Sequence, residues 1–243
     1  MTTTAFFLPD FSFPVHVPLY DIENLENALV YSIYGNTLAE SIINHTGRTA
    51  GLPVGNINVE EVGIRQFGAQ DYVRYANLGT MSPNGLTLMV AFDSPDANLA
   101  AGLINLWSET EKSADAQRRR VFIDASNGVP RVNSSPQATS SDASRLIQLK
   151  KPYLVSLTRN GNGVASALRF HDVNGLILSE SPLPALATTV TYTEGTVLDV
   201  GNSSSSSGGG CLIQGVGLWN GVMSTASIAK AAAQMAAATG IFE

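Results

Sequence analysis

The chain has 243 residues, of which 44% are hydrophobic and only 14% charged, with a formal net charge of -6. It carries the apolar material for a substantial core, and its pI near 5.0 argues against a nucleic-acid surface, which must gather lysines and arginines to displace counterions. A single cysteine, Cys211, excludes an internal disulfide framework and a multi-cysteine zinc site, and is expected as a small buried apolar residue.

Residues 1–26 form an aromatic and proline-rich stretch in which Phe6, Phe7, Phe11, Phe13 and Tyr20 are interleaved with Pro9, Pro14 and Pro18. Proline bars helix interiors and central strands, so an extended arm is expected. So many aromatics call for cover, either on the arm's own body or, as an assembly arm, on a neighbouring subunit. The stretch has no positive n-region and no uninterrupted apolar core, and no segment is long and apolar enough to span a bilayer. The expectation is a protein made in the cytoplasm without a signal peptide or a membrane partner, acting elsewhere if carried out by a particle or by lysis.

From Asn27 the chain turns to short apolar runs punctuated by turn residues. ALVYSIYG, VGIRQFG, DYVRYANL, LTLMVAFD, GLINLWSE and RRVFIDA are rich in β-branched and aromatic residues with partial alternation, and read as strands. Arg118, Arg119 and Arg120, directly before VFI, read as a solvated turn with strand entry. In YLVSLTRNGNGVASALRFHDVNGLILSES, Asn160-Gly161 and Asn174-Gly175 separate apolar runs, which predicts a three-stranded meander with type I′ turns.

The polar stretch from Pro136 to Ser144 could mark a domain boundary, yet neither flank is complete by itself, and two sheets closing on each other resolve both. Asn202 to Gly210, in VGNSSSSSGGGC, has the composition of a flexible linker. The one strand and one helix that follow cannot bury a core, so the stretch is expected as a long loop inside a single sandwich. Helical periodicity enters only at STASIAKAAAQMAAATG, with Ser224 or Thr225 to cap it and Gly240 to stop it. This alanine-rich C-terminal segment, 227–243, is expected to pack on the sandwich or on a neighbour.

The order of several of these segments resembles the laminin G-like, concanavalin A-like jelly-roll family. VGIRQFGAQDYVRYANL is similar to its early element, a glycine turn before an aspartate-aromatic-apolar strand, and LTLMVAFD to a later strand that usually ends in tryptophan and lysine, here Phe92 and Asp93. KPYLVSLTRNGNGVASALRFHDVNGLIL resembles its asparagine-glycine hairpin, and LDVGNSSSSSGGGCLIQGVGLWNGVMSTASIAK its closing strand and small helix. The resemblance runs from about Asn27 to Lys230. It implies an all-β, two-sheet antiparallel jelly-roll sandwich over 27–226, with binding in rim loops or on the concave face. Members include glycan-binding modules, adhesion domains, particle-surface proteins of bacteriophage virions and, in one branch, glycosidases, so fold alone does not settle function.

Catalysis needs a constellation, and none stands out. Glu60 and Glu61 are adjacent, so on a strand they point to opposite faces and cannot form the carboxylate pair of a glycosidase. His16, His45 and His171 are scattered, and His171 reads as a turn-flanking surface residue. Gly215-Val-Gly217 lies in a strand pattern without a basic residue, unlike a phosphate loop. The ligand-binding candidates are Asp93, Asp96 and Asn98, which pack three oxygen-bearing side chains into one turn suited to calcium or to turn formation, and Trp107, which could stack on a sugar. Trp219 reads as packing. No catalytic and no fixed metal residues are assigned. The sequence reading is a non-catalytic virion surface protein, a decoration, fibre or tail-attached adhesion subunit, homo-oligomeric and in contact with capsid or tail proteins. Its alternatives are a carbohydrate-binding module for a cell-surface polysaccharide, with or without calcium, and, ranked below it, a glycosidase of the same fold.

Overall fold

The structure is a computed structural model, and the residues it describes are 22–66, 68, 70–81, 85–95, 100–108, 119–124, 131–135, 145–160, 166–183, 195–202 and 210–243. Among them the strands are β1 (Ala28–Ile33), β2 (Leu52–Val54), β3 (Ile57–Glu60), β4 (Gly63–Gln66), β5 (Tyr72–Tyr75), β6 (Gly85–Asp93), β7 (Ala101–Ser108) and β8 (Arg119–Asp124). They continue with β9 (Arg131–Ser135), β10 (Arg145–Leu146), β11 (Pro152–Asn160), β12 (Ala167–His171), β13 (Ile177–Pro182), β14 (Thr196–Gly201) and β15 (Leu212–Asn220). Two α-helices accompany them, α1 (Leu38–Ser41) and α2 (Thr225–Thr239). The five arm aromatics, Asp96, Asn98 and Gly161 of the Asn160-Gly161 turn lie outside the described residues.

An eight-stranded sheet runs β13-β12-β11-β6-β15-β4-β3, with β1 also paired to β15, and a seven-stranded sheet runs β10-β9-β8-β7-β14-β5-β2. All the described pairings are antiparallel. The chain therefore forms the all-β two-sheet sandwich expected of it. Alternation explains the core: Val73 and Tyr75, Leu198 and Val200, Val121 and Ile123 point inward from one sheet to meet Leu86, Leu88, Val90 and Phe92 of the other.

A second apolar layer covers the outer face of the eight-stranded sheet. There Ile228, Ala231, Ala232 and Met235 of α2 bury Met89, Ala91, Leu154, Tyr31 and Trp219. Glycines in β15 make the room. A side chain at Gly217 would collide with the Trp219 ring, and a Cβ at Gly215 would come within 2.9 Å of Thr239 Cγ2. The helix is capped as expected, with Ser224 Oγ accepting from Ser227 N at 3.1 Å and Gly240 left-handed at φ 63°.

Three expectations change. The β12–β13 turn is not type I′: among its residues only Gly175 has positive φ, 76°, and Gly175 N donates to Asp172 O at 3.0 Å. Asp172 Oδ1 accepts from both Asn174 N and Leu176 N, which holds Asn174 out of the left-handed region that type I′ requires. Arg119 is no solvated turn residue. It lies in β8 in phase with Val121 and Ile123, so its side chain points into the sandwich and is fully buried. Across from it, burial pushes the Arg159 guanidinium down to about 10, with the nearby Arg119 charge adding to the shift, while Arg159 Nη2 donates to Ser134 Oγ at 3.3 Å. His171, the third, is buried rather than at the surface.

The serine and glycine stretch joins β14 of one sheet to β15 at the centre of the other. Its first residue, Asn202, is fully buried: its N donates to Asp71 O, its Oδ1 accepts from Gly102 N at 2.6 Å and its Nδ2 donates to Gly68 O at 3.1 Å. At the far end Gly210 O accepts from Arg65 Nη1 at 2.9 Å, and Cys211 enters the core, where burial pushes its thiol far above its ordinary value.

Candidate functional site

The outer face of the seven-stranded sheet carries a cluster of polar and aromatic groups. Cross-strand register sets Leu52, Arg74, Asp199, Asn105 and Arg120 in one row over β2, β5, β14, β7 and β8. At the usual spacing of about 4.8 Å between strands, Arg74 and Arg120 stand about 14 Å apart with Asp199 and Asn105 between them. Tyr72, Trp107 and Phe122 are in phase with that row, one pleat to either side.

Asp199 organises its centre. Arg74 Nε donates to Asp199 Oδ1 at 2.8 Å and Nη2 to Oδ2 at 3.1 Å, while Trp107 Nε1 donates to Oδ2 at 2.7 Å. The carboxylate is fully buried, so this bidentate pair and the indole compensate its loss of water. The Arg74 guanidinium also lies 5.1 Å from the Trp107 ring centroid and 5.0 Å from that of Tyr72, and Arg120 lies 5.0 Å from that of Phe122. Trp107, expected as a sugar platform or as packing, is 8% exposed and already stacked with Arg74.

Asp93 sits elsewhere, at the end of β6 on the eight-stranded sheet. Its Oδ2 accepts from Gln214 Nε2 at 3.3 Å, and burial raises its carboxyl above the usual value, partly offset by that bond and by the Arg65 charge. Gln214 Oε1, in the same cluster, is buried without a hydrogen-bond partner. Among the described residues no three His, Cys, Asp or Glu side chains converge on a metal position, and Asp96 and Asn98 of the same turn lie outside those residues. Ser94 is spent on the backbone, donating to Gln148 O at 2.6 Å and accepting from Lys151 N at 3.0 Å.

Sequence reading missed the Asp199 row. One signal for it is present: TVLDVG is a wholly buried strand with a single carboxylate, and a lone charge in such a run must be paired. Which cations pair it depends on register across three strands. Trp219 packs as expected, fully buried, 6.3 Å edge-on to Tyr31, with Nε1 donating to Glu23 O at 2.9 Å.

These features define an all-β sandwich of lectin-like fold. No protein-family model and no curated protein matches the chain. Among solved structures it is similar to the Trypanosoma rangeli sialidase, with a TM-score of 0.61 at 11% identity, covering 87% of this chain and 33% of that one. The same enzyme in complex with sialic acid gives 0.58 at 12%, covering 84% and 32%. The botulinum neurotoxin serotype D binding domain gives 0.53 at 11%, covering 86% and 51%. The chain thus spans about a third of the sialidase and about half of the toxin domain, and likeness at this identity shows the fold alone.

Proposed function

We propose that the chain is a non-catalytic surface protein of a particle, a bacteriophage virion component such as a decoration, fibre or tail-attached adhesion subunit, with the lectin-like sandwich as its body. The observation that carries the non-catalytic reading is the state of Asp199. It is fully buried, and both its oxygens accept hydrogen bonds, from Arg74 and Trp107. Glycoside hydrolysis by the usual route needs carboxyl groups free to act as acid, base or nucleophile at the scissile bond. The particle reading is supported by the aromatic arm and by the place where the chain reaches the body. Glu23 N donates to Gln234 Oε1 at 2.9 Å and its carboxylate pairs with Lys230 at 2.7 Å, so the described part of the chain begins beside α2.

Removing residues 1–21 while keeping Ile22 and Glu23 tests this. The shortened chain should keep its melting temperature yet fail to enter particles or to self-associate in sedimentation; undiminished incorporation would overturn the reading. A second reading, recognition of a cell-surface glycan, is favoured by the aromatic and guanidinium groups of the seven-stranded sheet. It expects binding on a glycan array that Tyr72→Ala and Arg120→Ala each weaken at least tenfold, and running the array with and without chelator decides whether calcium takes a role. Silence on the array removes it.

A further inference from the structure

On the outer face of the eight-stranded sheet lies a titratable group unused in either reading. His171 closes β12 under the edge of α2 and is 2% exposed. Its Nδ1 lies 3.0 Å from Gly175 O, and its Nε2 2.8 Å from Ser156 Oγ of the neighbouring β11. A carbonyl oxygen only accepts, so Nδ1 carries the hydrogen, Nε2 is the acceptor and the Ser156 hydroxyl donates. Gly175 is in turn wedged under α2, where a Cβ would collide with Ala229 O and meet Ala233 N at 2.7 Å. The imidazole therefore ties together β11, the β12–β13 turn and the flank of the helix.

We propose that His171 is an acid-sensitive latch, whose charging releases α2 and the β12–β13 turn from the sheet while the rest of the sandwich stays folded.

A second proton makes Nε2 a donor, so the Ser156 hydroxyl can no longer donate to it and loses the one hydrogen bond its side chain makes among the described residues in its present sense. The surroundings offer little to balance the charge. Arg169, on the same face of β12, repels it while holding Glu180 at 2.5 Å. Asp172 favours the charge, but its Oδ1 already accepts two backbone N–H groups. From β11 and β6 the facing side chains are Leu154 and Ala91, with Asp93 one pleat further on. The sole charge of α2 is Lys230, engaged with Glu23 on the opposite flank of the helix. Burial accordingly holds the imidazole below its ordinary value, with Arg169 acting the same way and the Gly175 bond and Asp172 opposing. An imidazole so lowered contributes its stability in full above about pH 6.5, where both states are neutral, and loses it as pH falls toward the folded value.

Hydrogen exchange of the intact chain, corrected for intrinsic rates, reads the latch. Protection of the α2 amides should fall by up to tenfold for each pH unit below about 6.5, while the amides of β7 and β14 keep theirs. His171→Gln, whose amide can donate to Gly175 O and accept from Ser156, should abolish the fall. His45→Gln should not, although burial pushes His45 down to about 4 and its N donates to Tyr31 O at 2.8 Å, close to the same layer. A fall that persists in His171→Gln, one shared equally by β14, or no fall at all overturns the proposal. Should the Gln variant not fold, imidazole nitrogen shifts of the wild-type chain decide: the neutral Nδ1–H tautomer must persist below the pH at which a free imidazole titrates, about 6.5, and an imidazolium that forms at or above that pH refutes the latch.

Discussion

At the scale of single residues, two positions carry more than their size suggests. Asp199 is fully buried and its partner Arg74 is 18% exposed, so the ion pair is largely out of solvent. Truncating one member leaves the other charge uncompensated, and Asp199→Ala should cost about 3–5 kcal/mol in urea unfolding at pH 7, several-fold more than Glu60→Ala, whose carboxylate is 33% exposed where that of Asp199 is buried. Gly175 offers a matched comparison with Gly79. Both have positive φ, 76° and 80°, but a Cβ at Gly79 would meet nothing within 4 Å, whereas at Gly175 it runs into the α2 backbone. Gly79→Ala should cost only the left-handed backbone penalty, about 1–2 kcal/mol. Gly175→Ala should cost clearly more, and equal losses would mean that the turn does not bear on the helix.

At the scale of elements, α2 shows what a sequence does and does not disclose. Its cap, stop and apolar period are local, so Ser224, Gly240 and Ile228 are readable without tertiary knowledge. Ser224→Ala should remove about 1 kcal/mol and lower exchange protection mainly in the first turn of α2. The long strands β6, β11 and β15 were readable for the same reason, since their apolar runs exceed any loop. Strands β2, β3, β9 and β10 were not: they span Leu52–Val54, Ile57–Glu60, Arg131–Ser135 and Arg145–Leu146, too short or too polar for periodicity to register. Arg119 misled because a basic triplet reads as solvated, while the period-two phase of Val121 and Ile123 carries it inward. The row of Arg74, Asp199, Asn105 and Arg120 was hidden more deeply, because it exists only through strand pairings between positions up to 125 residues apart.

At the scale of the whole molecule, β15 decides how the chain coheres. It follows the serine and glycine loop yet pairs with β6, β1 and β4 at the heart of the eight-stranded sheet, so residues on both sides of that loop share one core. A flexible tether between independent bodies would leave two cores and two unfolding transitions. The tryptophans are placed to tell these apart, Trp107 on the seven-stranded sheet before the loop and Trp219 beneath α2 after it. With 5-fluorotryptophan incorporated, their two fluorine resonances should disappear over one and the same range of urea at pH 8, where His171 and His45 are both neutral and the helix is latched. Separate midpoints would show that the sandwich does not unfold as a unit. If Trp219 moved first and only at acid pH, the same experiment would locate the weaker boundary between α2 and its sheet, where the buried imidazole lies, and not at the loop that composition alone marks as the seam.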